Sequence, residues 1–369
     1  MAHRILYCSE NYSPHDHRFL SALADSGHEI YWLRLEESGQ PQEKRNLPAS
    51  IKAVAWRQDK NPVSWSDFPF LKENFRIAVE KIQPDLIHAG PIQRVAYLPA
   101  LINFHPLLTM SWGFDLLEDC YCDVNTEAIT RFVLGRSDWF TSDCQTTRNI
   151  AVILGMDALK TVIFPWGVDL NLFSPEKRAF MRQQVGFEDD LLIVHTRSWE
   201  PRYGVDIALN GIRQAFQSAP NLRVFMLGGG SLEDQVKNFV LENGLSDRVH
   251  FRGYLPNEAL ATYYQAADVY LSASHVDGSS VALMESMACG CPALVSDIPA
   301  NLEWVSHGEQ GWVFKDGDSD DLAQKVLHIM NNKQGLAPYG KNARAKTEKY
   351  ADWQKNFAKL LALYDRILK

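Results

Sequence analysis

The chain has 369 residues, 46% of them hydrophobic and 22% charged, an ordinary globular composition and enough length for about two domains. Its formal net charge of -8 argues against a general nucleic-acid binder, and no run approaches the roughly eighteen apolar residues of a membrane span. The opening segment reads as a strand followed by polar residues, not as a secretory signal. The six cysteines lie in or beside apolar segments. Cys120 and Cys122, like Cys289 and Cys291, have one residue between them, which is not a zinc spacing; reduced cytosolic thiols are the expectation.

In chain order, the first half alternates strands and helices. Strands are predicted over residues 4–8, 29–35, 85–88, 107–111, 139–142 and 161–164. Helices are predicted over 16–26, 70–82, 95–102, 126–134 and 147–154. Residues 36–62 are polar, carry prolines and resist assignment. A polar segment, 169–190, separates the halves. The second half places strands over 191–195, 222–227, 249–251, 269–274 and 293–296, with helices over 205–216, 232–242, 257–267, 320–330 and a tail at 353–368. In that tail Phe357, Leu360, Leu361, Tyr364, Ile367 and Leu368 recur at helical spacing. Strands alternating with helices predict two doubly wound parallel sheets, with ligands at the carboxyl ends of the strands. There is no internal repeat.

The richest stretch is SHVDGSSVALMESMACGCPALVSDIPANLEW, residues 274–304. It reads strand, polar loop, helix, strand, with Ser279 or Ser280 available to cap the helix. Gly278 lets backbone approach a ligand, and the bare N–H groups of a helix start attract phosphate. Asp277 and Glu285 flank this loop. On one continuous helix they would lie about 12 Å apart along the axis, but a helix break at Gly278 is expected. Two acceptors gripping different hydroxyls of one elongated ligand suit this arrangement better than a hydrolytic acid pair. A dinucleotide fingerprint is missing: the first loop, residues 10–17, has no glycine, and Gly228, Gly229 and Gly230 lack the third spaced glycine. Read alone, that triplet is a tight strand-to-helix turn.

At Asp277, Glu285 and ACGCP (288–292) the chain resembles glycosyltransferase family 4, the retaining enzymes of GT-B fold. The usual first acid of that family is Glu, and the Asp here resembles a subfamily in which Asp is the ordinary form. The resemblance implies two Rossmann-like domains facing across a cleft: an acceptor-side domain over 1–168, a donor domain over 169–350, and a last helix, 351–369, crossing back to the first. It implies a nucleotide-diphospho-sugar donor, UDP- or GDP-linked, and hexosyl transfer with retention to an acceptor hydroxyl of a glycan, lipid or small molecule. No cofactor and no metal are expected, and no nucleic-acid partner. A cytoplasmic location, with peripheral contact at the inner membrane face, fits the same resemblance.

Residue by residue, the resemblance gives Asp277, Glu285 and Arg197 the catalytic roles. Arg197 matches the family arginine after the first strand of the donor domain. The usual lysine position holds Tyr203, so Arg202 beside it becomes the second candidate cation. Gly278, Ser279, Ser280, Val281, Gly229, Arg252 and Gly253 are the remaining donor-binding candidates, the last two in VHFRGYL (249–255). On the acceptor side, SENYSPHDHRF (9–19) replaces the family's paired glycines and offers His15, His17 and Arg18, with Asp16 expected to cap the following helix. SWGFD (111–115) resembles the family's H-G-x-D, with Trp112 at the histidine position and Asp115 matching; Trp112 suits either sugar stacking or the core. FPWGVDLNLF (164–173) resembles the interdomain segment. Alternatives of the same fold are a nucleotide-sugar epimerase and a nonenzymatic sugar-nucleotide-binding protein. A glycogen phosphorylase relative would need a pyridoxal phosphate lysine motif, which is not evident.

Overall fold

A computed structural model describes residues 2–37, 43–57 and 62–369. Part of the segment left unassigned above, 38–42 and 58–61, lies outside the described residues. The chain divides into two compact units, Met1–Phe164 with Phe357–Lys369, and Pro165–Asn356.

The first unit is built on β1 (Arg4–Ser9), β2 (Glu29–Arg34), β3 (Lys52–Ala53), β4 (Leu86–Ala89), β5 (Leu107–Met110), β6 (Trp139–Ser142) and β7 (Thr161–Ile163). All pair in parallel in the order β3-β2-β1-β4-β5-β6-β7. Strands β4, β5 and β6 are wholly buried, as strands covered by helices on both faces must be, so they read as continuous runs and not as alternations. The terminal helix, Trp353–Ile367, lays Phe357, Leu360, Leu363 and Tyr364 into the molecule. Leu363 takes the buried place that periodicity had suggested for Leu361. Within the first unit Tyr364 bonds His88 Nδ1 of β4 at 2.7 Å, and Phe357 meets Phe19 edge-on at 6.1 Å.

The second unit holds β8 (Leu191–His195), β9 (Leu222–Leu227), β10 (Val249–Gly253), β11 (Val269–Ser272), β12 (Ala293–Ser296) and β13 (Gly311–Phe314), again all parallel, in the order β10-β9-β8-β11-β12-β13. Apolar clusters cover both faces of this sheet. One is centred on Ile193, Met226 and Leu271, the other on Leu192, Phe225 and Tyr270. Each sheet reverses its winding once, between β1 and β4 and between β8 and β11. Adjacent strands there send their loops to opposite sides, which opens a crevice at their carboxyl ends.

Two helices of eight residues or more were not visible as apolar patterns, and the structure shows why. Helix Arg178–Val185 lies inside the expected polar separator and buries no residue. It is held by charge: Arg178 and Arg182 each contact Asp268 at 2.9 Å. Helix Ala337–Tyr350 is likewise polar, and its Arg344 donates to the carbonyls of Phe173 and Ala288 at 2.7 and 2.8 Å. Strand β13 was missed because it is four residues long at the sheet edge and begins at a glycine.

Truncating Tyr364 should separate packing from hydrogen bonding. Tyr364→Ala should lower unfolding free energy by about 3–5 kcal/mol, as for other large buried aromatics. Tyr364→Phe, which loses only the bond to His88, should cost about 1–3 kcal/mol in the same denaturant titration.

Candidate functional site

The loops after β8 and β11 meet because those strands are neighbours, paired Val269 to Ile193 and Tyr270 to Val194, although they lie far apart in sequence. The Arg202 carbonyl accepts from the N–H groups of His275 and Val276 at 2.9 and 3.3 Å, tying one loop to the other through backbone. Gly204 makes the approach feasible. Its φ is +58°, and a Cβ there would stand 2.1 Å from the Ala273 carbonyl oxygen.

This junction brings Arg197 to Asp277. The guanidinium Nη2 lies 2.9 Å from Asp277 Oδ2, Nη1 donates to Ser280 Oγ at 3.0 Å, and the Tyr203 ring lies 4.0 Å from the guanidinium carbon. Both charged side chains are largely enclosed, at 12% exposure. Burial pushes the Asp277 carboxyl up, while Arg197, the Gly278 N–H and Ser280 draw it back. Burial weakens the Arg197 cation, but the facing carboxylate overrides that and holds its proton more firmly than usual. His195, fully buried beside it, is pushed down to about 3 by burial first and by Arg197 second, so it is neutral and adds no charge.

The helix after the loop is Val281–Ala288, capped by Ser280 and not Ser279: Ser280 Oγ accepts from the Leu283 N–H at 3.4 Å. Ser279 is buried and accepts from the Trp304 indole at 3.1 Å. Asp277 therefore precedes the helix while Glu285 sits inside it, so the two acids do not share one helical axis. Glu285 is buried, and its carboxylate, second to burial, holds the Tyr264 phenol well above its usual range. Tyr264 in turn bonds Thr196 Oγ1 at 2.8 Å, next to Arg197. Beneath the loop, Ser296 donates to the Ser274 carbonyl at 2.5 Å and Asn301 donates to the Ser296 carbonyl at 3.1 Å, a polar brace in a buried position. His275 meets Asp316 at 2.6 Å.

The remaining donor-side candidates line the neighbouring strands. The Gly229 carbonyl accepts from the Trp199 N–H at 2.9 Å, and a Cβ on Gly230 would stand 2.5 Å from the Trp199 carbonyl oxygen. The triplet thus packs the β9 turn against the loop of Arg197. Arg252 is exposed, bonds Tyr263 OH at 3.1 Å and lies over the Phe225 ring at 5.1 Å. These three line a pocket of about 230 Å³. Gly253 follows at a register irregularity, with its N-terminal neighbour strand β9 bonded through the Gly228 N–H at 2.7 Å.

In the first unit, the candidates surround the corresponding switch point between β1 and β4. Ser13, not Asp16, is the N-cap of helix Pro14–Ala24. Asp16 is the other half of a capping box, and its carboxylate accepts from the Ser13 N–H at 2.9 Å and hydroxyl at 2.6 Å. His17 Nδ1 bonds Tyr12 OH at 2.8 Å. His15 is half-buried and lies edge-on to Trp112 at 6.2 Å, and Arg18 is half-buried on the same helix. Asp115 is fully buried and accepts from the Ser111 hydroxyl and from the N–H groups of Trp112, Leu116 and Ile92, at 2.6–3.1 Å. It is a buried loop anchor that holds four donors. Tyr203 and Tyr264 are the site residues that sequence reasoning passed over. The signal for the first was an aromatic at the place of an expected cation, directly before a glycine.

Residues 177–346 match the family model of glycosyl transferases group 1, and residues 4–143 match the model of glycosyl transferase 4-like domains. The chain thus carries one domain matched by each of these two glycosyl transferase models. One relative is the amylovoran biosynthesis glycosyltransferase AmsK of Erwinia amylovora, 26% identical over 222 residues, 58% of this chain and 53% of that protein. The chain spans about half the length of the curated relatives it matches. Sucrose-phosphate synthase of Thermosynechococcus elongatus superposes with a TM-score of 0.82 at 19% identity, covering 99% of this chain and 98% of that one. The Anabaena protein HepE in complex with UDP gives 0.78 at 18% identity, covering 98% and 100%. At these identities the likeness shows the fold, GT-B. Among the described residues of this GT-B chain, no helix is long and apolar enough to cross a membrane, and no three His, Cys, Asp or Glu side chains gather as metal ligands.

The buried carboxyls of the first unit set a pH dependence. Burial raises Asp115 and Asp16 each to about 6 against the opposing hydrogen bonds. The folded chain then holds these protons more tightly than the unfolded chain, so stability falls as pH rises from about 4 to about 6. For Asp115 the fall is roughly 3 kcal/mol, and Asp115→Asn should flatten that share of a stability profile measured by denaturant across this window.

Proposed function

We propose that this chain is a retaining glycosyltransferase that moves a hexosyl group from a nucleotide-diphospho-sugar, UDP- or GDP-linked, to an acceptor hydroxyl in glycan or glycolipid synthesis. One observation carries the reading: an enclosed arginine, Arg197, stands at the switch point of the second sheet. It is bonded to Ser280, the cap of helix Val281–Ala288, at the end of the helix where backbone N–H groups point outward. A cation and a helix start converging at one place form an anion site without a metal. The family models and the solved complexes of HepE with UDP and with UDP-glucose support the same reading by analogy.

In this mechanism the donor diphosphate takes over Arg197 from Asp277, with Arg202 alongside. Glu285 holds the ribose hydroxyls, and Asp277 with the backbone of residues 278–280 holds the sugar. As the sugar–oxygen bond breaks, the electron pair leaves on the diphosphate, where Arg197 and the helix N–H groups stabilise it. The acceptor hydroxyl attacks the face that the diphosphate vacates, which retains configuration, and its proton passes to the departing phosphate oxygen. His15, His17, Arg18 and Trp112 are assigned to the acceptor side. Asp277 in place of Glu shortens the acid by one methylene, a geometry assigned to an Asp-bearing subfamily. The reaction is assigned no metal and no cofactor, and a cytoplasmic location.

Arg197→Ala should lower kcat/KM by about 10²–10³, the scale for one preorganised donor to a developing anion. Glu285→Ala should weaken nucleotide binding. A thermal-shift panel of uridine, guanosine and adenosine diphosphates should show a selective rise in Tm that both variants reduce. No shift with any diphosphate, or full turnover by Glu285→Ala, would overturn the assignment. Donor consumed to an epimer with no acceptor present would select the epimerase alternative.

A further inference from the structure

The first unit contains a large pocket that no part of the donor chemistry uses. It measures about 900 Å³ and is walled by Trp65, Phe68, Tyr97 and Ile129, with Lys72, Asp123, Asn125 and Thr126 around it. Three helix starts form it. Helix Phe68–Ile82 follows β3, helix Tyr97–Leu101 follows β4, and helix Val124–Arg136 follows β5. In a parallel sheet, a helix that follows a strand begins at that strand's carboxyl end, so the pocket lies on the ligand-binding side of its own sheet.

We propose that this pocket binds a saccharide, an extended stretch of the acceptor glycan, and that the acceptor is therefore a chain of more than one sugar. The inference rests on the transferase reading above. Three features select a sugar. The first is an aromatic platform. Trp65 is 48% exposed and is stacked on Phe68 at 4.9 Å and 27°, and Tyr97 braces both at 6.3 and 5.5 Å. The indole face is held rigid with one side open, as the C–H face of a sugar ring requires, and a rigid aromatic gives contact area at small entropic cost.

The second is the polar rim. Asp123 takes the Asn125 and Thr126 N–H groups on Oδ1 at 2.8 and 3.0 Å and the Thr126 hydroxyl on Oδ2 at 2.7 Å, which keeps it ionised and leaves Oδ2 room to accept one more hydroxyl. The exposed Asn125 amide and Lys72 amine add donors. The third is charge. One lysine and one aspartate balance at the pocket, on a chain of formal net charge -8, which suits a neutral polyhydroxylated ligand and disfavours an anionic lipid surface. The volume exceeds what one hexose ring fills and lies within the range of well-formed ligand sites.

The test titrates the full chain with gluco-, galacto- and manno-configured trisaccharides and tetrasaccharides, followed by tryptophan fluorescence and by saturation-transfer NMR. At least one configuration should bind, with the tetrasaccharide tighter than the corresponding trisaccharide. Trp65→Ala should weaken that binding at least tenfold. Asn125→Ala, at an exposed polar position that carries no packing, should weaken it about threefold or more. Both variants should keep the wild-type thermal shift with nucleoside diphosphate, which separates this site from the donor site. Loss of the diphosphate shift in the wild type would fail the transferase reading instead. The proposal is overturned if no saccharide of the panel binds, if binding survives both substitutions, or if Trp65 signals respond to neutral or anionic phospholipid vesicles and not to sugar.

Discussion

The buried contact between Arg197 and Asp277 is the interaction on which the arrangement of the second unit's site depends. Two charges withdrawn from water hold each other only where geometry is good and further bonds satisfy them. Here the Ser280 hydroxyl accepts from the guanidinium and the Tyr203 ring lies against it. Removing either charge would strand the other in an apolar surround, so the pair enforces its own completeness. The same pair keeps the Arg197 guanidinium charged and fixed in direction. A preorganised cation does not have to be desolvated or reoriented at the moment of reaction.

The pair exists because of sheet winding. Strands β8 and β11 become neighbours only when the order reverses, and their loops then point into one crevice. Everything else near the contact serves to keep the loops at that separation: the glycine at 204, the serine and asparagine brace beneath Ser274, and the indole of Trp304 on Ser279. The first unit repeats the principle with a buried carboxyl in place of an ion pair. Asp115 gathers four donors from three segments and so fixes the loops after β4 and β5 without meeting solvent.

Much of this was legible in the chain. Strands β6, β8, β9 and β12 were placed to the residue because each is a short apolar run flanked by turn residues, and the paired acids with their glycine and following helix pointed to one loop. What escaped followed a different physics. Helices Arg178–Val185 and Ala337–Tyr350 are held by guanidinium groups on a carboxylate or on carbonyls, which leave no periodic apolar trace. The cap of the first helix was assigned to Asp16 because both residues of a capping box favour helix starts, and only geometry tells which is the cap and which its partner. Tyr203 was read as a missing lysine. Its ring beneath Arg197 belongs to a contact across a loop, which residue spacing does not encode.

The tether between the two loops of the second unit uses the peptide oxygen of residue 202 and not its side chain. A peptide oxygen is common to every amino acid. This tether therefore does not depend on which side chain residue 202 carries. The alignment of the two loops thus rests on main chain, and a substitution at residue 202 leaves the acceptor of this tether in place.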